Sequence, residues 1–233
     1  MTPAFTRYLF LVIFPTTCIL ADQPDATLEP ARAARDSADV VTLRKQIARL
    51  RHDGSFEGLR RTAILNSWLC EALYGSNGEQ GVKLAAQAGL DAAEKAVKLQ
   101  PNSSEAHRLT GDLLGQLIPH VFAGGMRYGA RSTKEIDRAL ELDPKNADAH
   151  IARATSYFFT PSAFGGSKEK ALEHLNQAIA LDPKSDTAHL WLAQVYSDEK
   201  QKEHAIAELA EARRLNPNRA YTRYLMTQIG GAR

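Results

Sequence analysis

The chain has 233 residues, enough for one or two domains, and its 44% apolar content can fill a core. A formal net charge of +2, from 29 basic and 27 acidic residues, excludes the large basic excess of a nucleic-acid surface. Two cysteines, Cys18 and Cys70, are too few for a disulfide framework.

The N-terminus opens with Arg7, the short apolar run "YLFLVIF" (8–14) and then Pro15. Seven residues cannot cross a hydrocarbon core of roughly 30 Å. Charge, short apolar run and small residues follow the order of a secretory signal peptide over 1–21, with Ala21 the last residue removed. The mature chain from Asp22 would be exported, periplasmic or secreted, with 28 basic and 27 acidic residues. Cys18 offers a second outcome, a lipid anchor, although Pro15, Thr16 and Thr17 depart from the aliphatic and small residues such a site takes. An uncleaved anchor is the third. Residues 22–36 are expected as a flexible linker and 37–233 as one repeat domain, led by a helix near 38–52.

Basic residues crowd "RKQIARLRHD" and "LRR" (44–61), interleaved with apolar ones, as on a solvated helix face. "NSWLCEALYG" places Cys70 on the apolar face of a helix, where it reads as a buried small residue.

Four segments then end alike: "AEKAVKLQP", "IDRALELDP", "LNQAIALDP" and "LAEARRLNP", at Pro101, Pro144, Pro183 and Pro217. Each has alanine five residues before the proline and leucine two before it. Proline cannot continue a helix and pushes the preceding residue out of the α region, so four helices end by one mechanism. The starts also recur: "EAHRLTGDLL", "DAHIARATSY" and "TAHLWLAQVY" carry His107, His150 and His189. Four residues on come Gly111, Ala154 and Ala193, and seven on Leu114, Tyr157 and Tyr196, all on one helical face. The units are about 57–101, 104–144, 147–183 and 186–217, with a capping helix at 219–229. The expected fold is all-α: about ten helices in an α-solenoid of hairpins.

A period near 34 with paired helices resembles the tetratricopeptide family, which the last unit matches at Leu192, Ala193, Tyr196, Ala205, Leu209, Ala212 and Pro217. "GLDAAEKAVKLQPNSSEAH", "FAGGMRYG" and "FTPSAFGGSKEKALEHLNQAIALDP", behind an export signal, resemble the T component of TRAP-type transporters (TatT). That resemblance implies a non-enzymatic component working with a transporter's substrate-binding protein on a small apolar or amphipathic ligand. The alternative is a general periplasmic protein–protein interaction scaffold using the repeat groove, and a homo-oligomer fits either.

No nucleophile elbow, phosphate loop or H-E-x-x-H occurs, so neither an enzyme nor a cofactor is expected. Equivalent histidines in successive hairpins stand about a helix diameter apart, too far to share a metal ion. The groove-facing positions are Arg108, Asp112 and Gln116; Ile151, Thr155 and Phe159; Leu190, Gln194 and Asp198. With one cation among them they make a poor carboxylate clamp.

Two insertions lengthen the middle hairpins, around Phe122–Gly124–Gly125–Tyr128 and Phe158–Phe159–Pro161–Phe164–Gly165–Gly166. The glycines can take positive φ cheaply. Phe122 and Phe164 are expected as neighbours on one edge. They either plug gaps between hairpins, or line an apolar ligand cavity, or contact a partner.

Overall fold

The structure is a computed structural model and describes residues 25–74 and 78–230. The signal segment with Ala21 and Cys18 lies outside the described residues. Eleven α-helices and no strand occur among those described. In chain order they are α1 Glu29–Asp36, α2 Val40–Arg49, α3 Phe56–Leu73, α4 Glu79–Leu99, α5 Ser104–Leu117, α6 Ala130–Leu142, α7 Ala147–Phe159, α8 Lys168–Leu181, α9 Asp186–Asp198, α10 Lys202–Leu215 and α11 Ala220–Gly230. α3/α4, α5/α6, α7/α8 and α9/α10 are antiparallel hairpins stacked in sequence order, with α11 on α10.

The local chemistry repeats with the hairpins. Ser55, Ser103, Asn146 and Ser185 cap the first helix of each, accepting from the backbone N–H three residues on. Each second helix ends on the leucine two before the proline. The last bond runs to the recurrent alanine, from Gln100 to Ala96, Asp143 to Ala139, Asp182 to Ala178 and Asn216 to Ala212. The small residues mark close helix approach: Ala154, Ala193 and Ala205 are buried. A Cβ on Gly111 would stand 2.5 Å from Ile136 Cγ1.

Two of the repeated histidines tie their hairpin to the turn before it. His107 and His150 donate Nε2–H to the carbonyls of Pro101 and Pro144, each 3.0 Å away. Their Nδ1 atoms face the second helix: His107 meets Glu135 at 2.7 Å and His150 meets His174 at 3.0 Å, while His189 meets Glu208 at 2.6 Å. Both nitrogens of His107 therefore face oxygen atoms.

The linker expected over 22–36 is corrected here. From Glu29 it is helix α1, started by Pro30. Leu28, Ala31 and Ala34 recur on one face and bury against Leu43, Leu65 and Leu69. The arginines and aspartates between them hide that stripe in the sequence.

Candidate functional site

The two ends of the array touch. α1 packs on α2 and α3 and reaches α11. Arg219, just before α11, is 3% exposed and grips α3: Nε and Nη2 donate to Glu71 at 2.9 and 2.7 Å. Its Nη1 donates to Asp186 at 2.9 Å and to Thr187 Oγ1 at 2.8 Å. Burial opposes the Arg219 charge, and Glu71 and Asp186 more than offset it, holding the guanidinium above the usual arginine range. Asn216 Nδ2 donates to Asp36 at 3.0 Å, and Asp36 also accepts from Arg35 at 2.6 Å. Tyr74, at the end of α3, meets Tyr221 and Tyr224 edge-on, with centroids 5.5 and 6.1 Å away. Burial pushes the Tyr221 phenol up. Sequence reasoning missed this clasp because its partners are as much as 180 positions apart and no spacing rule connects them.

The positions expected to line an open groove divide. Ile151 and Leu190 are buried: Ile151 joins Leu175 and Leu192, and Leu190 joins Leu209 and Leu225 of α11. Neither faces a groove, because the neighbouring helices cover it. Arg108 is almost buried, donating to Glu105 at 2.5 and 2.7 Å and to Asp112 at 2.5 Å. Burial pushes the Asp112 carboxyl up to about 6 against the pull of Arg108, with Asp148 and Glu105 adding to the rise; the 23% exposure its side chain keeps tempers it. Thr155 is half-buried and bonds the Ala152 carbonyl. Gln194 accepts from the Tyr221 hydroxyl at 3.5 Å, and Gln116 donates to Ser67 at 2.8 Å. Gln194 Nε2 and Gln116 Oε1 are buried without a protein partner. This face is occupied by the protein's own charges and amides. Exposed Asp198 pairs instead with Lys168.

The insertions behave oppositely. Phe122 is 99% exposed and Phe164 81%, joined by Met126 at 86% and Phe159 at 66%. A ring exposed to that degree fills no gap and walls no cavity, so the plug and the cavity lining expected of these phenylalanines are corrected. The loops are nevertheless built. After α5, a short turn Ile118–His120 leads to Ala123 at φ 52, and a one-turn π-helix Gly125–Gly129 leads into α6. Ala123, not a glycine, takes the positive φ here. Gly124 is required for closeness: a Cβ there would collide with the Ile118 oxygen. Gly125 has open space around it. In the second loop Pro161 O accepts from Phe164 and Gly166, Gly165 has φ 93, and a Cβ on Gly166 would collide with Thr160 O. Tyr128 packs on the N-terminal core, and Phe158 on the α7–α9 core. Phe159 meets Trp191 edge-on at 5.7 Å.

Both loops join the end of a first helix to the start of its second, in consecutive hairpins. The stacking therefore puts them at one edge. The opposite edge carries the proline turns.

Cys70 is buried, donates to the Val82 carbonyl and has its thiol pushed up to about 12 by burial. That environment makes it inert. Among the described residues no cluster of His, Cys, Asp and Glu could hold a metal ion, and no helix is long and apolar enough to cross a membrane.

A family model described as tetratricopeptide repeat matches residues 168–229. No curated protein matches the sequence. Among solved structures, TTC0263, a thermophilic TPR protein of Thermus thermophilus, is 18% identical, covering 85% of this chain and 92% of its own, with a TM-score of 0.60. YrrB, described as a TPR protein with an unusual peptide-binding site, is 16% identical over 85% of this chain and 98% of its own, with a TM-score of 0.46. MamA (41-end) from Desulfovibrio magneticus RS-1 is 17% identical over 82% and 98%, with a TM-score of 0.44. The segment 168–229 thus carries tetratricopeptide repeats, and the array as a whole has their all-helical solenoid fold.

Proposed function

We propose that this chain is an exported protein-interaction scaffold that meets its partner with the loop edge rather than with a groove. The observation that carries this reading is the exposure of Phe122, Met126 and Phe164 on tightly held inter-helix segments, with Phe159 exposed at the end of α7. Burying one such ring would contribute roughly 1.5–3 kcal/mol, which the isolated chain forgoes. Exposed apolar side chains on an ordered frame are what a partner surface requires. The self-satisfied charges of the inner face and the burial of Ile151 and Leu190 argue against peptide capture there. Export rests on the apolar run at 8–14. A transporter's substrate-binding protein is the partner that the sequence resemblance implies.

Photo-crosslinking in the native host tests this. Benzoylphenylalanine at position 122 or 164 should trap one discrete protein, while the same probe at Thr155 traps none. Trapping from 155 alone would move the contact to the inner face and overturn the proposal.

A further inference from the structure

We propose that the cleft between the α2–α3 turn and the end of α4 binds a phosphate group carried on an aliphatic body. The cleft measures about 450 Å³, within the range of small-molecule sites. Arg51 and His52 come from the turn, Lys95 and Lys98 from the last turns of α4, more than forty positions later. Exposed Leu99 and partly buried Leu59 supply an apolar wall.

The charge balance points to an anion. Arg51, Lys95 and Lys98 enter no ion pair among the described residues. One acid, Asp53, lines the cleft beside the three cations, and the other nearby carboxylates have partners outside it. Asp53 turns into its own loop, accepting from Ser55 N at 3.0 Å and Ser55 Oγ at 2.6 Å. Glu94 reaches across to Arg131 at 2.7 Å. Asp91 accepts from Gln87 at 2.9 Å. The next arginines along the chain differ: Arg60 and Arg61 both meet Asp25 at 2.9 Å. Within the basic run of 44–61, Arg60 and Arg61 are thus paired, while Arg51 lines this cleft with Lys95 and Lys98. Lys98 also complements the negative end of the α4 dipole, but that role needs no second cation, Arg51, from 47 positions earlier. Cations in a concave setting focus potential on an anion, and guanidinium and ammonium groups together suit phosphate oxygens. The leucines favour an alkyl chain attached to it.

The test uses the purified full chain with three probes: octyl phosphate, inorganic phosphate, and vesicles of phosphatidylglycerol against phosphatidylcholine. Octyl phosphate should bind saturably, shifting the amide resonances of Gly54 and Leu99, and more tightly than inorganic phosphate. The triple variant Arg51→Gln, Lys95→Gln, Lys98→Gln should bind it at least about tenfold more weakly. The control variant Arg44→Gln, Lys45→Gln, Lys134→Gln loses the same charge elsewhere and should bind as the parent does. Saturable binding of octyl phosphate identifies a free phosphorylated molecule as the source. Binding to phosphatidylglycerol vesicles alone, lost in the triple variant, identifies a lipid headgroup. Absence of binding to every probe, or equal loss in both variants, overturns the site.

Discussion

The clasp and the loop edge treat large side chains in opposite ways. At the clasp, Arg219 is buried although its charge resists burial, and Glu71, Asp186 and Thr187 satisfy its donors. At the loop edge, Phe122 and Phe164 stay in water although burial would favour them. The first arrangement closes the protein on itself. The second leaves apolar surface that only another molecule can cover. On the proposed reading, the binding capacity of this solenoid lies at its rim and not on its inner face.

Breaking the clasp should have the largest effect. Arg219→Ala leaves two carboxylates facing each other without their cation, and opening a buried pair typically costs about 3–5 kcal/mol. The cost should fall toward the lower end, because Glu71 and Asp186 keep 20% and 15% of their side-chain exposure. Urea unfolding measures the loss, and hydrogen exchange should show α1 and α11 losing protection while α7 and α8 keep theirs. Unchanged protection in α1 would mean that the two ends are not coupled.

A smaller loss should follow from overpacking the frame on which the clasp rests. Ala193 is fully buried beside Leu209 and Leu225. Leucine there costs roughly 1–3 kcal/mol. Because repeats are held by nearest neighbours, the melting temperature should drop and exchange in α11 should rise. The 118–129 loop should not respond, and if it does, the rim is not independent of the clasp.

The frame was legible in the sequence and the site was not, for one physical reason. Proline stops, alanine contacts and Ser or Asn caps act within one hairpin, so their spacing is written along the chain. Each second helix ends on the leucine expected of it. Relations between distant hairpins leave no such trace. Arg219 meeting Glu71 across 148 positions could not be read, and neither could the covering of Leu190 by α11. The phenylalanines misled differently: their loop positions could be read, but whether a loop side chain turns inward depends on the room left between hairpins.

The pH response separates the two regions as well, since it should come from the frame and not from the rim. Burial, then the facing charge of His150, lowers the proton affinity of His174; Arg153 also opposes its charge, while Glu173 and Asp137 favour it. His150 donates Nε2–H to Pro144, so its Nδ1 accepts the Nδ1–H of His174. An unfolded histidine takes up its proton near pH 6.5, the folded His174 only at lower pH. The unfolded state therefore binds more protons between those values, and stability falls as pH drops through that window. His174→Phe keeps a ring beside Tyr157 and should flatten this part of the Tm-against-pH curve between about pH 7.5 and 5. An unchanged slope would assign it to other groups.

The smallest effect on stability, and the most informative about function, should come from the rim. Phe122→Ser with Phe164→Ser removes two rings that touch almost nothing of their own chain. Surface substitutions of this kind usually stay within about 0.5 kcal/mol of the parent. Their backbones should hold, because Gly124, Gly165 and Gly166 rather than the rings set the loop geometry. The double variant should therefore melt with the parent and show the parent's exchange at α1 and α11, yet lose the partner trapped by crosslinking. Serine at either position alone should weaken that capture partially if both loops meet one partner. A double variant that unfolds would show that the rings stabilise the chain after all, and one that keeps the partner would return the contact to a face other than the rim.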